Sequence, residues 1–130
     1  MTQKPTVLFL CQHNAGRSQL GAGLLEVLAD DRYTATSAGL SPADTVNPAI
    51  AATVAELGLD ISDRTPRAVT VQDLESADVV IAMKPGLALP ATPTGRFLQW
   101  TFPDPTDWSA ENVRPLREAV ADRIRTELLD

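Results

Sequence analysis

The chain has only one cysteine, one histidine and one tyrosine among 130 residues. A single cysteine cannot close an internal disulfide or build a cysteine-based zinc site, and we expect no metal. No run of apolar residues approaches the roughly 18 that a membrane-spanning helix needs. The N-terminal MTQKP lacks the apolar core of a secretory signal peptide. We therefore expect a cytoplasmic protein, in the compartment where thiols stay reduced, with no membrane partner.

Positive charge is also scarce. Eleven lysines and arginines stand against 17 aspartates and glutamates, which gives a formal net charge of −6. Nucleic acids and anionic membranes attract clustered basic side chains, and the sequence has no such cluster, so neither is an expected partner. The content of 44% hydrophobic and 22% charged residues is typical of a folded protein. A chain of this length suffices for a single domain, which we place over residues 1–130.

The sequence does contain an alternation of short apolar runs and helical patterns. Four runs predict strands: TVLFL at 6–10, YTATSAG at 33–39, DVVIAM at 78–83 and RFLQWTF at 96–102. Apolar runs without alternation are typical of strands that are buried on both faces of a parallel sheet. Helical patterns lie between the first and second runs, between the second and third runs, and after the last one. The order predicts an α/β three-layer sandwich with a four-stranded parallel sheet and right-handed crossovers.

Capping residues and prolines mark the boundaries of these elements. Ser18 precedes a stripe of leucines and is a candidate N-cap, and Asn47 followed by Pro48 is another. The segment 84–96, KPGLALPATPTGR, has three prolines and two glycines, so regular structure cannot persist there. Irregular loops of this length are often functional lids. We expect Trp100 and Trp108 to pack in the core and in a loop rather than to form a substrate platform.

The lone cysteine, Cys11, directly follows the first predicted strand and begins the stretch CQHNAGRS. Ligands of such sheets bind beyond the carboxyl ends of the strands. A loop between a strand end and a helix start aims several backbone N–H groups at one point, which makes an anion site. That field, with Arg17 beside it, favours thiolate over thiol. An inert buried thiol is the alternative, but this context favours a nucleophile inside an oxyanion cradle.

The stretch VLFLCQHNAGRS resembles the C-x5-R-S loop of the low-molecular-weight protein tyrosine phosphatase superfamily, especially its arsenate reductase branch. The likeness continues in register through TSAG at 36–39, NPAI at 47–50, LGLDISDRTPR at 57–67, DVVIAM at 78–83 and FPDP at 102–105. It therefore covers nearly the whole chain. The resemblance implies the phosphotyrosine protein phosphatase I-like fold.

The resemblance also implies roles for individual residues. Cys11 would be the nucleophile, Arg17 the oxyanion clamp and Asp104 the general acid. Asn14 and Ser18 would support the loop and the thiolate. The remaining members of the oxyanion loop would be Gln12, His13, Ala15 and Gly16.

Two assignments have alternatives in the sequence. Asp107 lies three residues beyond Asp104 and is a second candidate for the acid. His13, the only histidine, is either a general base or an exposed loop residue. We favour the loop residue, because the chemistry implied by the resemblance needs no histidine.

Departures from the family pattern narrow the function. Phosphatases of this family carry tyrosines directly after the Asp–Pro pair, whereas this chain reads DPTDW and its only tyrosine is Tyr33. Thioredoxin-coupled arsenate reductases use two further cysteines after the third strand, where this chain has Lys84 and no cysteine. A member with one cysteine must hand its adduct to an external thiol.

The pattern is similar to that of the single-cysteine arsenate–mycothiol transferases of actinobacteria. That similarity implies arsenate as substrate, mycothiol as the low-molecular-weight thiol co-substrate, a mycoredoxin-type reductant downstream, and no metal or organic cofactor. Two other functions stay open. One is a protein tyrosine phosphatase that uses the same loop, and the other is a phosphocarrier or anion-binding module.

Overall fold

The computed structural model describes residues 4–103 and 105–129. The strands are β1 Thr6–Cys11, β2 Thr34–Gly39, β3 Val79–Ala82 and β4 Arg96–Gln99. The helices are α1 Arg17–Ala29, α2 Pro48–Ala55, α3 Val71–Ser76 and α4 Ala110–Ile124, and a π-helical segment Arg125–Leu129 extends α4. The strands form one parallel sheet in the order β2-β1-β3-β4. Within the described ranges, no helix has both the length and the apolar character needed to cross a bilayer.

Strand β1 lies in the middle of the sheet and is buried on both faces. Val7 and Phe9 belong to the larger hydrophobic cluster, which includes side chains of α1, α2 and α4. Leu8 and Leu10 belong to a smaller cluster with Leu74 of α3. Because successive side chains of a strand point to opposite faces, both faces of β1 require a cover. The predicted three-layer α/β sandwich is confirmed, and one of its outer layers has only the short helix α3.

Of the two predicted N-caps, the structure confirms one and corrects the other, and it shows a further cap that was not predicted. The side chain of Asn47 accepts hydrogen bonds from the N–H groups at the start of α2, as predicted. Thr70 and Asp73 form a capping box at the start of α3. The prediction that Ser18 is an N-cap is wrong, because α1 begins at Arg17 and Ser18 lies inside its first turn. Its hydroxyl instead contacts the thiol of Cys11 at 2.8 Å.

The C-terminal half of the sheet differs from the sequence prediction in two places. Strand β4 ends at Gln99 rather than at residue 102, because the Trp100 ring turns into the core and Pro103 has no N–H to continue the ladder. The segment 84–95 is irregular, as predicted, but it packs against the sheet rather than standing away from it as a lid. Its apolar side chains pack partly buried against the smaller cluster, through Leu87, Leu89 and Ala91.

A charged cluster on the surface joins α2 to α4. Glu56 accepts hydrogen bonds from Arg114 Nη2 at 2.6 Å and from Arg117 Nη1 at 2.7 Å. Arg117 Nη1 also donates to the Thr53 carbonyl at 2.9 Å, which fixes its position against α2. The hydrogen bonds from Arg114 and then Arg117 lower the pKa of Glu56 from 4.5 to about 2.

This pKa shift predicts a pH-dependent contribution to stability. A carboxyl with a lowered folded-state pKa stabilises the fold above its unfolded pKa, and that contribution is lost as the pH falls toward the folded value. We expect Glu56→Gln to lower the melting temperature at neutral pH by a few degrees. The difference from wild type should shrink as the pH falls from about 4.5 toward 2, over the window that the two pKa values of Glu56 define.

Circular dichroism melts over that pH range measure the effect. The matched control is Glu118→Gln, because Glu118 is more exposed and its one ion pair with a described residue is to the adjacent Arg117. A Glu56→Gln deficit that stays constant down to about pH 3 would contradict the assigned ion pair.

Candidate active site

The loop between β1 and α1 is held from outside through its carbonyl groups. These groups accept hydrogen bonds from N–H groups of the segment 40–47, in the pairs Leu40 to Cys11 (3.3 Å), Ser41 to Gln12 (2.7 Å), Ala43 to His13 (2.9 Å) and Asn47 to Ala15 (2.8 Å). The C=O and N–H of a peptide unit point in opposite directions. The amides of the loop therefore turn toward its inside and form a concave set of donors.

Asn14 is the buried centre of the loop and has a left-handed backbone with φ of 52°. Its Oδ1 accepts a hydrogen bond from the backbone N–H of Arg67 at 2.9 Å and another from Gln19 Nε2 at 3.3 Å. Its Nδ2 donates to Ser18 Oγ at 2.8 Å. Because a backbone N–H can only donate, the contact with Arg67 fixes which end of the Asn14 amide carries the oxygen.

This orientation determines how Ser18 meets the thiol. Ser18 Oγ accepts from Asn14, so its own hydrogen is available to the Cys11 sulfur at 2.8 Å. The backbone N–H of Asn14 donates to the same sulfur at 3.2 Å. Hydrogen bonds donated to a sulfur favour its charged form. The geometry is thus suited to a thiolate at Cys11.

A cavity of about 330 Å³ opens above the sulfur. Its wall consists of Cys11, Gln12, His13, Ala15, Gly16, Arg17, Asn47, Lys84 and Trp108. Six of the nine residues that the sequence suggested for the site line this cavity. Asn14 and Ser18 are buried behind it, where they hold the loop and the sulfur. Asp104, the predicted general acid, lies outside the described residues.

The electrostatic character of the cavity suits an oxyanion. Arg17, the first residue of α1, lines the wall, and Lys84 enters it from the end of β3. No described side chain caps the N-terminus of α1, so its first N–H groups and the positive end of the helix dipole face the cradle. Within residues 4–103 and 105–129, no three acidic, histidine or cysteine side chains cluster to hold a metal ion. The donors and cations of the cavity wall are suited to bind a tetrahedral anion.

Three wall residues were not among the predicted site residues: Asn47, Lys84 and Trp108. Trp108 departs furthest from the expectation. We expected loop packing for it, but its ring lies in the cavity wall and is 43% exposed. The ring approaches within 3.8 Å of the point where a Cβ on Gly16 would lie. No local signal in DPTDW predicts this contact, because it depends on how the loop before α4 folds back over α1.

Asp107, the alternative candidate for the acid, forms hydrogen bonds at the start of α4. Its Oδ1 accepts a hydrogen bond from the Ser109 backbone N–H at 3.0 Å. Hydrogen bonds from Ser109 and Asn112 hold the pKa of this carboxyl below its usual range. A carboxylate that stays ionised at neutral pH has no proton to donate. The role of acid therefore stays with Asp104, as a prediction.

Gly39 provides the space in which the loop passes β2. It pairs with Cys11 across the sheet and exchanges backbone hydrogen bonds with Arg67 and Val69. A Cβ at this position would lie 2.7 Å from the backbone N of Asn14 and 2.9 Å from the carbonyl of Gln12. Both contacts are to backbone atoms, so no side chain can move aside. The glycine of TSAG is therefore a structural requirement of the cradle.

Comparison with known proteins places this geometry in context. The pattern that defines the Low molecular weight phosphotyrosine protein phosphatase family matches residues 6–129. The arsenate reductase of Halalkalibacterium halodurans is 34% identical over 128 residues, which cover 96% of this chain and 90% of that protein. The glutaredoxin arsenate reductase of Synechocystis sp. is 32% identical over 121 residues, which cover 91% of this chain and 92% of that protein.

The fold is also similar to that of a solved arsenate reductase structure. The thioredoxin-dependent arsenate reductase of Corynebacterium glutamicum superposes with a TM-score of 0.80 at 33% sequence identity. The match covers 95% of this chain and 59% of that one, so this chain spans about three fifths of its length.

The close approach at Gly39 predicts that a substitution outside the cysteine loop will disable the loop. We expect Gly39→Ala to displace the backbone of Asn14 and Gln12, because overpacking a tight contact costs about 1–3 kcal/mol. Affinity for arsenate, measured by the fluorescence of Trp108, should fall by at least about tenfold, which corresponds to roughly 1.4 kcal/mol.

Gly16→Ala is the matched control inside the loop. Its added methyl would meet Trp108 at 3.8 Å, an ordinary contact, so its affinity for arsenate should stay within a few-fold of wild type. Equal losses in the two variants would show that the approach at Gly39 does not determine the shape of the cradle.

Proposed function

This chain belongs to the low molecular weight phosphotyrosine protein phosphatase family, in its arsenate reductase branch, and we propose that it is an arsenate reductase that passes arsenate to an external thiol. The observation that carries the proposal is the sole cysteine of the chain, placed on the floor of a cavity whose wall presents cations and inward-turned amides. The relatives named arsenate reductase support the choice of oxyanion.

The first step is attack of the Cys11 thiolate on arsenic. A sulfur–arsenic bond forms, and one arsenic–oxygen bond breaks. The loop amides and Arg17 stabilise the charge on the remaining oxygens. Asp104 protonates the departing hydroxide, which leaves as water. The two hydrogen bonds that Cys11 accepts from Asn14 and Ser18 keep the attacking sulfur charged until the bond forms.

The second step needs a thiol from solution. Reduction of arsenate to arsenite takes two electrons, and one cysteine cannot close a disulfide within the chain. An external thiolate displaces Cys11 from arsenic and yields a thiol–arsenate conjugate. A redoxin thiol then attacks the sulfur of that conjugate, which releases arsenite and leaves a mixed disulfide. We propose mycothiol as the external thiol and a mycoredoxin-type protein as the reductant, in the cytoplasm.

The similar arsenate reductases differ in the reductant that their names record. One is called thioredoxin-dependent and another glutaredoxin arsenate reductase. The choice of reductant is therefore the part of the proposal that most needs an experiment.

A phosphatase activity is the second candidate, and Trp108 favours it. The sequence lacks tyrosines after the Asp–Pro pair, but the structure provides an aromatic surface in the cavity wall. Such a surface can pack against an aryl phosphate. Comparing kcat/KM for an aryl phosphate with that for arsenate separates the two activities.

The assignment of the acid predicts different effects at two neighbouring aspartates. Asp104→Asn should lower turnover by about 10²–10⁴-fold with little change in arsenate affinity, as loss of a general acid does. Asp107→Asn should have a small effect on turnover, because Asp107 is already engaged at the start of α4. Steady-state arsenite release and fluorescence titration measure the two quantities. A loss that follows Asp107 instead would transfer the role to it.

The single cysteine predicts which reductants support turnover. With mycothiol and a mycoredoxin, arsenite should accumulate over many cycles, whereas thioredoxin and its reductase alone should support essentially none. Cys11→Ser should abolish the reaction in every mixture and leave the melting temperature largely unchanged.

Arsenite is quantified for each thiol and reductant in turn, with glutathione and a glutaredoxin as a further arm. Sustained turnover with thioredoxin as the only thiol would overturn the transferase assignment. Equal turnover with glutathione would keep the transfer chemistry but remove the specificity for mycothiol.

A further inference from the structure

The second step of the proposed reaction includes a proton transfer to which no described residue has been assigned. Asp104 becomes a carboxylate once it has protonated the departing hydroxide and is one possible acceptor, but it lies outside the described residues. The external thiol arrives protonated, and only its thiolate attacks. Arg17 and Lys84 line the cavity as cations, which have no lone pair to accept that proton. Cys11 is already bonded to arsenic when the thiol enters. Among the described residues, a base for this step therefore has to come from another side chain at the mouth of the cavity.

His13 lies in the wall of that cavity and is exposed to solvent. Its Nδ1 is 3.0 Å from the carbonyl oxygen of Ser41. A carbonyl can only accept, so Nδ1 of the neutral ring carries the hydrogen and Nε2 keeps the lone pair. Among the described residues, no group forms a hydrogen bond with Nε2. The ring therefore offers one unoccupied proton acceptor.

The surrounding segment fixes the position of this ring. The carbonyl of His13 accepts a hydrogen bond from Ala43 at 2.9 Å, and the ring binds Ser41 in the same segment. Gln12 adds a third link, from its Nε2 to Ser41 Oγ at 3.1 Å. These bonds attach the backbone and the side chains of the loop to residues 41–43. A base held in one place and one tautomer needs little rearrangement before it accepts a proton.

The cations near the His13 ring can stabilise the thiolate that forms when the ring accepts a proton from the thiol. Arg17 and Lys84 share the cavity wall with His13, and the exposed Asp44 follows the segment that binds the ring. The Lys84 ammonium has no hydrogen-bond acceptor among the described residues, so its charge is available to an incoming thiolate. Cations close to the sulfur stabilise the thiolate that deprotonation creates.

We propose that His13 is the general base that deprotonates the external thiol, an inference that rests on the proposed arsenate reductase function. Nε2 takes the proton of the thiol, and the sulfur forms a bond to arsenic. The bond between arsenic and Cys11 breaks, and its electron pair returns to the Cys11 sulfur, where Asn14 and Ser18 again donate. The imidazolium then releases its proton to water. Arsenic keeps its oxidation state until a second thiol reduces the conjugate.

The experiment compares wild type with His13→Asn and His13→Gln. Each side-chain amide can donate to the Ser41 carbonyl, but neither accepts a proton. Arsenite release is measured with excess 2-mercaptoethanol, a thiol that is protonated at neutral pH, and with thionitrobenzoate, which is already ionised there. Both variants should lose about 10²-fold or more with 2-mercaptoethanol. With thionitrobenzoate they should stay within about twofold of wild type, because no deprotonation is needed.

Three readouts distinguish a base from a structural residue. Alkylation of Cys11 by iodoacetamide and arsenate affinity by Trp108 fluorescence should be unchanged in both variants. Added imidazole should restore part of the rate with 2-mercaptoethanol.

The outcomes also separate this inference from the function on which it rests. Equal losses with both thiols, or no loss with either, would overturn the role of His13 while arsenate reduction by wild type stands. If wild type forms no arsenite with any thiol and redoxin, the proposed function fails and the role of His13 fails with it.

Discussion

The outward hydrogen bonding of the cysteine loop is the constraint on which the site depends. Its carbonyl groups are taken by the N–H groups of residues 40–47, so its amides face the cavity. The loop achieves this turn by placing Asn14 in a left-handed conformation, which costs energy for a residue other than glycine. The Asn14 side chain offsets the cost through its bonds to Arg67, Gln19 and Ser18. Asn14 thus stabilises the conformation of the loop and orients the hydroxyl hydrogen of Ser18 toward the Cys11 sulfur.

Much of this architecture could be predicted from the sequence because it follows from local patterns. The apolar run at 6–10 gave the buried central strand, and Asn47 with Pro48 gave the start of α2. The cysteine motif and its position after a strand indicated the cradle. The N-cap predicted for Ser18 was wrong, because a serine before a leucine stripe has the same pattern whether it caps the helix or faces a thiol. Only the position of Cys11 in three dimensions separates the two. The second predicted role of Ser18, support of the thiolate, came from the family resemblance and not from this pattern.

Other features depend on contacts between distant segments, and no local pattern contains them. The need for glycine at position 39 arises from the backbone of Asn14 and Gln12, which lie on another strand-loop unit. Trp108 joins the cavity because the loop before α4 crosses the start of α1. The end of β4 at Gln99 follows from the burial of Trp100. Each depends on tertiary packing, which overrides local preference.

The proposed reaction requires the cavity to do two things, to bind the oxyanion and to select the external thiol. Different parts of the cavity are suited to each. The backbone of the loop and Arg17 form the floor, where the donors match a tetrahedral anion of any source. The rim is formed by side chains, His13, Lys84 and Trp108, which differ in chemistry from one another. In the proposed reaction the floor recognises only the oxyanion, so selection of the external thiol would come from the rim. Under that proposal, specificity for a thiol can change through rim side chains without altering the backbone donors of the loop that would hold arsenic.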